Sequence, residues 1–170
     1  LRSVALIGPN ADRVQFGDYT WSRSNADGVT LRQALEARCG KQVAVRYAQG
    51  CDLVSDDTTG IAQAVEAARD ADVSIVVLGS ASASLARDYS GATCGEGFDL
   101  SDLTLTGAQE TLLRRVQATG RPVVLVLLSG KPFVLTWAKA HVPAILVQWY
   151  PGEQGGNALA DILLGKVNPS

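Results

Sequence analysis

Val73-Ser74-Ile75-Val76-Val77-Leu78-Gly79 sets the reading of the chain. The run is rich in β-branched residues, apolar on both sides of a pleat, and stopped by a glycine. A strand with two apolar faces is covered on both, which is the situation of a central strand in a parallel sheet. Parallel neighbours need crossover connections, usually helices, so helical periodicity is expected on either side.

It is found there. Upstream, Ile61, Ala62, Val65 and Ala68 recur at helical spacing over 59–70. Before them, 42–47 alternates, with Val43, Val45 and Tyr47 on one face, as in a half-exposed strand near an edge. Thr30 and Gln33 form a capping box for a helix with Leu31 and Leu35 on its apolar stripe and Gly40 at its end. Ser3 to Ile7 reads as a first buried strand, turned by Gly8-Pro9-Asn10. Downstream, Thr106 and Gln109 read as a second capping box, opening a helix with Ala108, Leu112 and Val116 on one face. Pro122 precedes a strand over Val123 to Leu128, a short helix is expected over 134–140, Pro143 opens a fifth strand over 144–149, and a last helix carries Leu159, Ile162 and Leu163.

This alternation predicts one α/β domain: a three-layer sandwich with a mostly parallel β-sheet of five or six strands and helices on both faces. In such a sheet ligands bind beyond the carboxyl ends of the strands. The loops that leave those ends, 8–28, 48–57, 79–105, 129–133 and 150–156, hold nearly all the unusual residues. The longest follows the central strand, and a loop of that length inside a compact domain is often functional.

Composition narrows the function. The balance of 15 basic against 17 acidic residues, with no basic patch interleaved with aromatics, argues against a nucleic-acid partner. No apolar run approaches the roughly 18 residues of a membrane span. Cys39, Cys51 and Cys94 lack CxxC spacing, so no metal site is expected; Cys39 and Cys51 read as buried thiols, and Cys94, in the long loop, as a buried or a reactive one. Gly95-Glu96-Gly97 is not GxGxxG, the Gly-Ser-Ala after the central strand lacks the P-loop lysine, and no cofactor is called for. The single histidine, His141, lies just before a strand, at the wrong end of the sheet for a Ser-His-Asp hydrolase. Leu1 is not an initiator Met and the chain contains none, which reads as a chain cut or processed from a longer protein.

Among the rim residues Glu96 is the leading catalytic candidate. Glycines flank it and let the backbone approach a ligand, and a carboxyl group in a closed site can exchange protons near neutral pH; the alternative is a solvated loop glutamate. Asp99 is suited to orienting a hydroxyl or to positioning the loop, Asp18 to a local turn or a rim contact, and Asp88 to a weaker second acid. Lys131 either reaches a rim anion or is solvated, and Trp149 and Trp21 either stack on a sugar ring or pack.

Several stretches in order resemble one family. Val4-Ala5-Leu6-Ile7-Gly8-Pro9-Asn10-Ala11-Asp12, the central strand with Ala71-Asp72 before it, Gly95-Glu96-Gly97-Phe98-Asp99, Ser129-Gly130-Lys131-Pro132 and Trp149-Tyr150-Pro151-Gly152-Glu153-Gln154-Gly155-Gly156-Asn157-Ala158 look like the carboxy-terminal α/β domain of glycoside hydrolase family 3. The resemblance covers essentially the whole chain. It implies a β-glucosidase- or β-xylosidase-like enzyme acting on a β-linked oligosaccharide or an aryl or alkyl β-glycoside with retention. A nucleophilic Asp would come from an N-terminal TIM-barrel domain, and the acid/base from a loop of the second domain, at the position of Glu96. Two departures stand out. Asp99 is followed by Leu100 where the family often has Arg, and Leu105-Thr106-Gly107 replaces Leu-Pro-Gly. The other reading is a non-catalytic domain that contacts carbohydrate or serves as a scaffold. Without a partner domain, 80–105 has little apolar content to pin it, so weak order is expected there.

Overall fold

A computed structural model describes residues 1–21, 24–83 and 91–169. The described chain forms five strands, β1 (Ser3–Ile7), β2 (Ala44–Ala48), β3 (Val73–Gly79), β4 (Val123–Leu128) and β5 (Ala144–Gln148). Five helices connect and follow them: α1 (Leu31–Cys39), α2 (Ile61–Arg69), α3 (Gln109–Gln117), α4 (Thr136–His141) and α5 (Gly155–Leu163). All strands pair in parallel, in the order β2-β1-β3-β4-β5, so the stretch around Val76 is indeed central and 44–48 is an edge.

The pleat distributes the strand side chains to two cores. Ala5, Ile7, Val76, Leu78, Leu125 and Leu127 face one layer, packed by Ile61 and Ala64 of α2, Leu112, Leu113 and Val116 of α3, and Ala138 of α4. Val4, Leu6, Ile75, Val77, Val126 and Leu128 face the other, packed by Leu31, Ala34 and Leu35 of α1 and Leu159 and Ala160 of α5. Fully buried leucines such as Leu112 and Leu113 each stabilise by roughly 1.5–3 kcal/mol. Ion pairs on the outer helix faces, such as Arg114–Glu110, contribute roughly 0–1 kcal/mol. The sheet and its two apolar layers therefore hold the rim.

Local signals held where local bonds decide. Thr30 Oγ1 accepts from Gln33 N–H at 3.2 Å while Gln33 Oε1 accepts from Thr30 N–H at 3.0 Å, the capping box expected for α1. The second expected box is absent. Helix α3 starts at Gln109 with Ala108 as its cap, and the Thr106 hydroxyl instead donates to Leu53 O at 2.6 Å. The Gln109 side chain, fully buried, donates to Leu53 O and Gly79 O and accepts from Gly79 N–H. Gln109 ties the end of β3 to the loop after β2, Thr106 adds a second bond to that loop, and these tertiary partners win over the cap.

The strand order places a switch point between β1 and β3. From β1 the chain crosses to α1 on one face, whereas from β3 it leads to α3 on the other. Loops that diverge in this way open a crevice at the carboxyl rim. Asn10 spans it from below: its buried amide donates to Ser80 O at 3.2 Å and Leu128 O at 3.3 Å, and its oxygen accepts from Gln15 Nε2 at 2.7 Å. His141 ends α4 at the opposite, amino side of the sheet, stacked on Trp137 with ring centroids 4.6 Å apart.

Candidate active site

The loops after β1 and β3 meet at this switch point. Ala81 N–H and Oγ1 of Thr93 bond at 3.1 Å, Ala83 N–H donates to Cys94 O at 3.1 Å, and Ser82 bridges Cys94 in parallel fashion. Ala81, Ser82, Thr93 and Cys94 are all buried, as is Leu105 farther along. Among the described residues of 80–105 these bonds and buried side chains hold the two ends of the loop to the rim, while 101–104 are exposed; Asp88 lies outside the described residues.

Cys94 turns inward. Its Sγ lies 2.6 Å from the Tyr150 hydroxyl, which itself lies 2.8 Å from Ser80 Oγ, and Ser80 Oγ bonds Ser129 Oγ at 2.9 Å. Burial, then the hydrogen bond with Cys94, pushes the Tyr150 phenol above its ordinary value. This network joins the loops after β3, β4 and β5 beneath the rim and closes Cys94 off from solvent, so the reactive reading of that thiol is set aside. Cys39 and Cys51 are buried free thiols as expected, and burial pushes Cys51 up to about 12.

Above the network, Gly95 to Phe98 make a tight turn, closed by Phe98 N–H donating to Gly95 O at 3.0 Å. Glu96 and Gly97 form its exposed tip. Asp18, from the loop after β1, reaches this turn: its carboxylate accepts from Glu96 N–H and from Ser82 Oγ. Asp18 sits in the local turn that its Gly-Asp-Tyr context suggests, closed by Thr20 N–H donating to Gly17 O at 3.2 Å, while both partners of its side chain come from the other side of the switch point. The flanking glycines also acquire specific reasons. Gly95 has φ +127°, and a Cβ there would meet the Asp18 carboxylate oxygens at 2.5 and 2.7 Å. Gly97 has φ +75° with open space around it, so only its turn conformation asks for glycine.

The Glu96 carboxylate accepts a hydrogen bond from the Tyr19 hydroxyl. That bond, more than the small burial or the nearby charges, holds the Tyr19 phenol above its ordinary value. Three aromatic side chains of the loops at this rim are exposed, Tyr19 at 84%, Trp21 at 99% and Trp149 at 57%. Trp149 follows an edge strand and is turned out, which resolves its reading away from core packing.

Residues 1–170 match the family described as Glycosyl hydrolase family 3 C-terminal domain. The chain belongs to that family. It is 36% identical over 175 residues to a β-xylosidase of Formosa agariphila, covering 99% of this chain and 23% of the relative. It is 42% identical over 169 residues to a β-glucosidase of Rhizobium radiobacter, covering 99% of this chain and 18% of the relative. A solved β-glucosidase from Erythrobacter marinus superposes with a TM-score of 0.82 at 33% identity, over 99% of this chain and 25% of that one. The family 3 domain thus spans about a fifth to a quarter of the length of such relatives.

Asp99 and Lys131 stand beside the turn in this family 3 domain. Lys131 is 8% exposed, and its Nζ pairs with Asp99 Oδ1 at 2.5 Å, so it is not a solvated lysine; its stem is packed in the rim and its charge meets a loop carboxylate. The hydrogen bond from Lys131, then that from Leu100 N–H, holds the Asp99 carboxyl below its ordinary value. A depressed carboxylate contributes stability above its unfolded value, about 3.9, that disappears as pH falls through the lower folded value. Asp99→Asn is accordingly expected to lower the thermal midpoint at pH 7, with the gap to the parent closing as the pH is taken down through the carboxylate range. A gap of constant size across that titration would show that the pair does not act this way.

Tyr19, Ser82 and Tyr150 have partners at the site that no local sequence pattern marks. Tyr19 adjoins Asp18, the one local hint, but its partner Glu96 is 77 positions away.

Proposed function

We propose that this chain is the second domain of a retaining β-glycosidase hydrolysing terminal β-linked glucosides or xylosides, and that Glu96 is its general acid/base. The observation that carries the reading is the state of Glu96. Its backbone is clamped across the switch point while its carboxylate stands exposed at the tip of the turn. A proton-transfer group on a loop needs a fixed main chain and a carboxyl that substrate can reach.

The chemistry takes two steps. A nucleophilic carboxylate from the rest of the enzyme, an N-terminal TIM-barrel domain on the family 3 pattern, attacks the anomeric carbon while Glu96 gives its proton to the departing glycosidic oxygen. The ionised Glu96 then takes a proton from water as that water displaces the enzyme carboxylate, and the configuration is retained. Two such carboxyl groups stand roughly 5–5.5 Å apart in retaining enzymes. Tyr19 donates to the ionised form and fixes the carboxylate between the two steps. Trp149 and Trp21, both exposed in loops of the carboxyl rim, offer faces for the substrate's sugar rings. Asp99 and Lys131 brace the loop that bears Glu96, from the other side.

The test is kinetic and uses the full-length enzyme. Glu96→Ala is expected to lose turnover and to regain part of it in azide with an activated aryl β-glycoside; unchanged turnover would overturn the assignment.

A further inference from the structure

Resting on the assignment of Glu96 above, we propose that Asp18 is a positioning residue for the acid/base, holding the Glu96 main chain at the reacting centre from across the sheet's switch point. Three observations converge on it. The Asp18 carboxylate uses both oxygens: one accepts from Glu96 N–H, the other from Ser82 Oγ, so it bolts the turn to the buried end of its own loop. The turn is bare where the carboxylate lies, since a Cβ on Gly95 would meet both of its oxygens. The next residue, Tyr19, donates to the Glu96 carboxylate. The dipeptide Asp18-Tyr19 therefore grips one glutamate twice, by its main chain and by its side chain.

The consequence is geometric. Phe98 N–H closes the turn on Gly95 O, but that bond fixes only the internal shape of the turn. The Cys94 bonds and the Lys131–Asp99 pair hold the chain on either side of the turn, and the bonds to Asp18 are the ones that reach the Glu96 main chain itself. Misplacing a reacting group by about 1 Å costs on the order of 10²-fold in rate. Asp18 need not touch substrate for this; it sets where the Glu96 proton is delivered. Its loss should therefore hurt in proportion to how much the leaving group needs that proton.

The experiment uses the full-length enzyme and a series of aryl β-glycosides graded in leaving-group basicity. Asp18→Ala is expected to lower kcat/KM by roughly 10–100-fold on the most basic leaving groups, and to leave kcat/KM for the dinitrophenyl glycoside, which reports only the first step, close to the parent's. Asp18→Asn keeps an oxygen for Glu96 N–H and an amide that can donate to Ser82 Oγ, and is expected to recover most of the loss. The slope against leaving-group basicity is a ratio within one preparation, so a reduced folded fraction does not alter it. If Asp18→Ala does not fold, Ser82→Ala, which removes one of the two bonds, is expected to give a smaller steepening of the same kind. Parental rates across the series, or an equal loss on every leaving group, would overturn the proposal. Glu96→Ala in the same series separates the two claims. A flat response there defeats the acid/base assignment itself, whereas a steep response beside a parental Asp18→Ala defeats only the positioning role.

Discussion

Glu96→Ala in the full-length enzyme is expected to lower kcat/KM for a disaccharide or alkyl β-glycoside by about 10²–10⁴-fold, the usual contribution of a general acid. The loss should shrink steadily as the leaving group becomes a weaker base, because a dinitrophenolate departs without a proton. With such a substrate the first step survives, and the second becomes limiting because no base activates water. Azide then enters as a nucleophile that needs no base. It should raise turnover and give the β-glycosyl azide, whose retained configuration shows that it attacked a covalent intermediate. The high-pH limb of the kcat/KM profile should vanish with the side chain, since that limb reports loss of the acid form. These signatures stand or fall together. A tenfold uniform loss without azide recovery would point to a damaged pocket, and a carboxylate elsewhere, Asp88 included, would then take the role.

How much of this could be read before folding is decided by the range of the interactions. Strand β3, its central place, the capping box at Thr30 and the glycine stops come from contacts between near neighbours, and the sequence pattern carries them. The second capping box failed because Thr106 and Gln109 have the right side chains at the right spacing but find better partners in Leu53 and Gly79. A spacing rule cannot see bonds that span 30 to 56 positions. The rim behaves in the same way. Glu96 was visible as a carboxylate between glycines, yet the reason for Gly95 is Asp18, far earlier in the chain. Whether Lys131 is solvated or reaches a rim anion is not decided by its neighbours in sequence, because its partner, Asp99, lies in another loop. The order of strands, which brings the loops after β1 and β3 together, is what turns these distant residues into one site.

Gly79→Ala is expected to be the most damaging single substitution in the scaffold. Gly79 ends β3 with φ +137°, a conformation L side chains rarely adopt, and a Cβ there would overlap the carbonyl of Leu128 on β4. The chain cannot relax cheaply. Gly79 N–H and O both bond to the Gln109 amide, and Ser80 N–H donates to Leu128 O at 3.1 Å. Rotating residue 79 into an allowed region would break these bonds, and each buried group left unsatisfied costs roughly 1–3 kcal/mol. Keeping it in place stores strain of about 1–3 kcal/mol in addition to the overlap. Either way the cost is about 3 kcal/mol or more, a large share of the roughly 5–15 kcal/mol that stabilises a domain. For a chain of this size that is a fall in thermal midpoint of about 6–12 °C, read by circular dichroism on residues 1–170. Gly97→Asn is the control. Gly97 also has positive φ, but nothing surrounds it, and asparagine tolerates that conformation, so its cost should stay below about 1 kcal/mol. Equal midpoints for the two variants would mean that the end of β3 yields as easily as the tip of the turn, and the rim would then not be the rigid frame on which the placement of Glu96 depends.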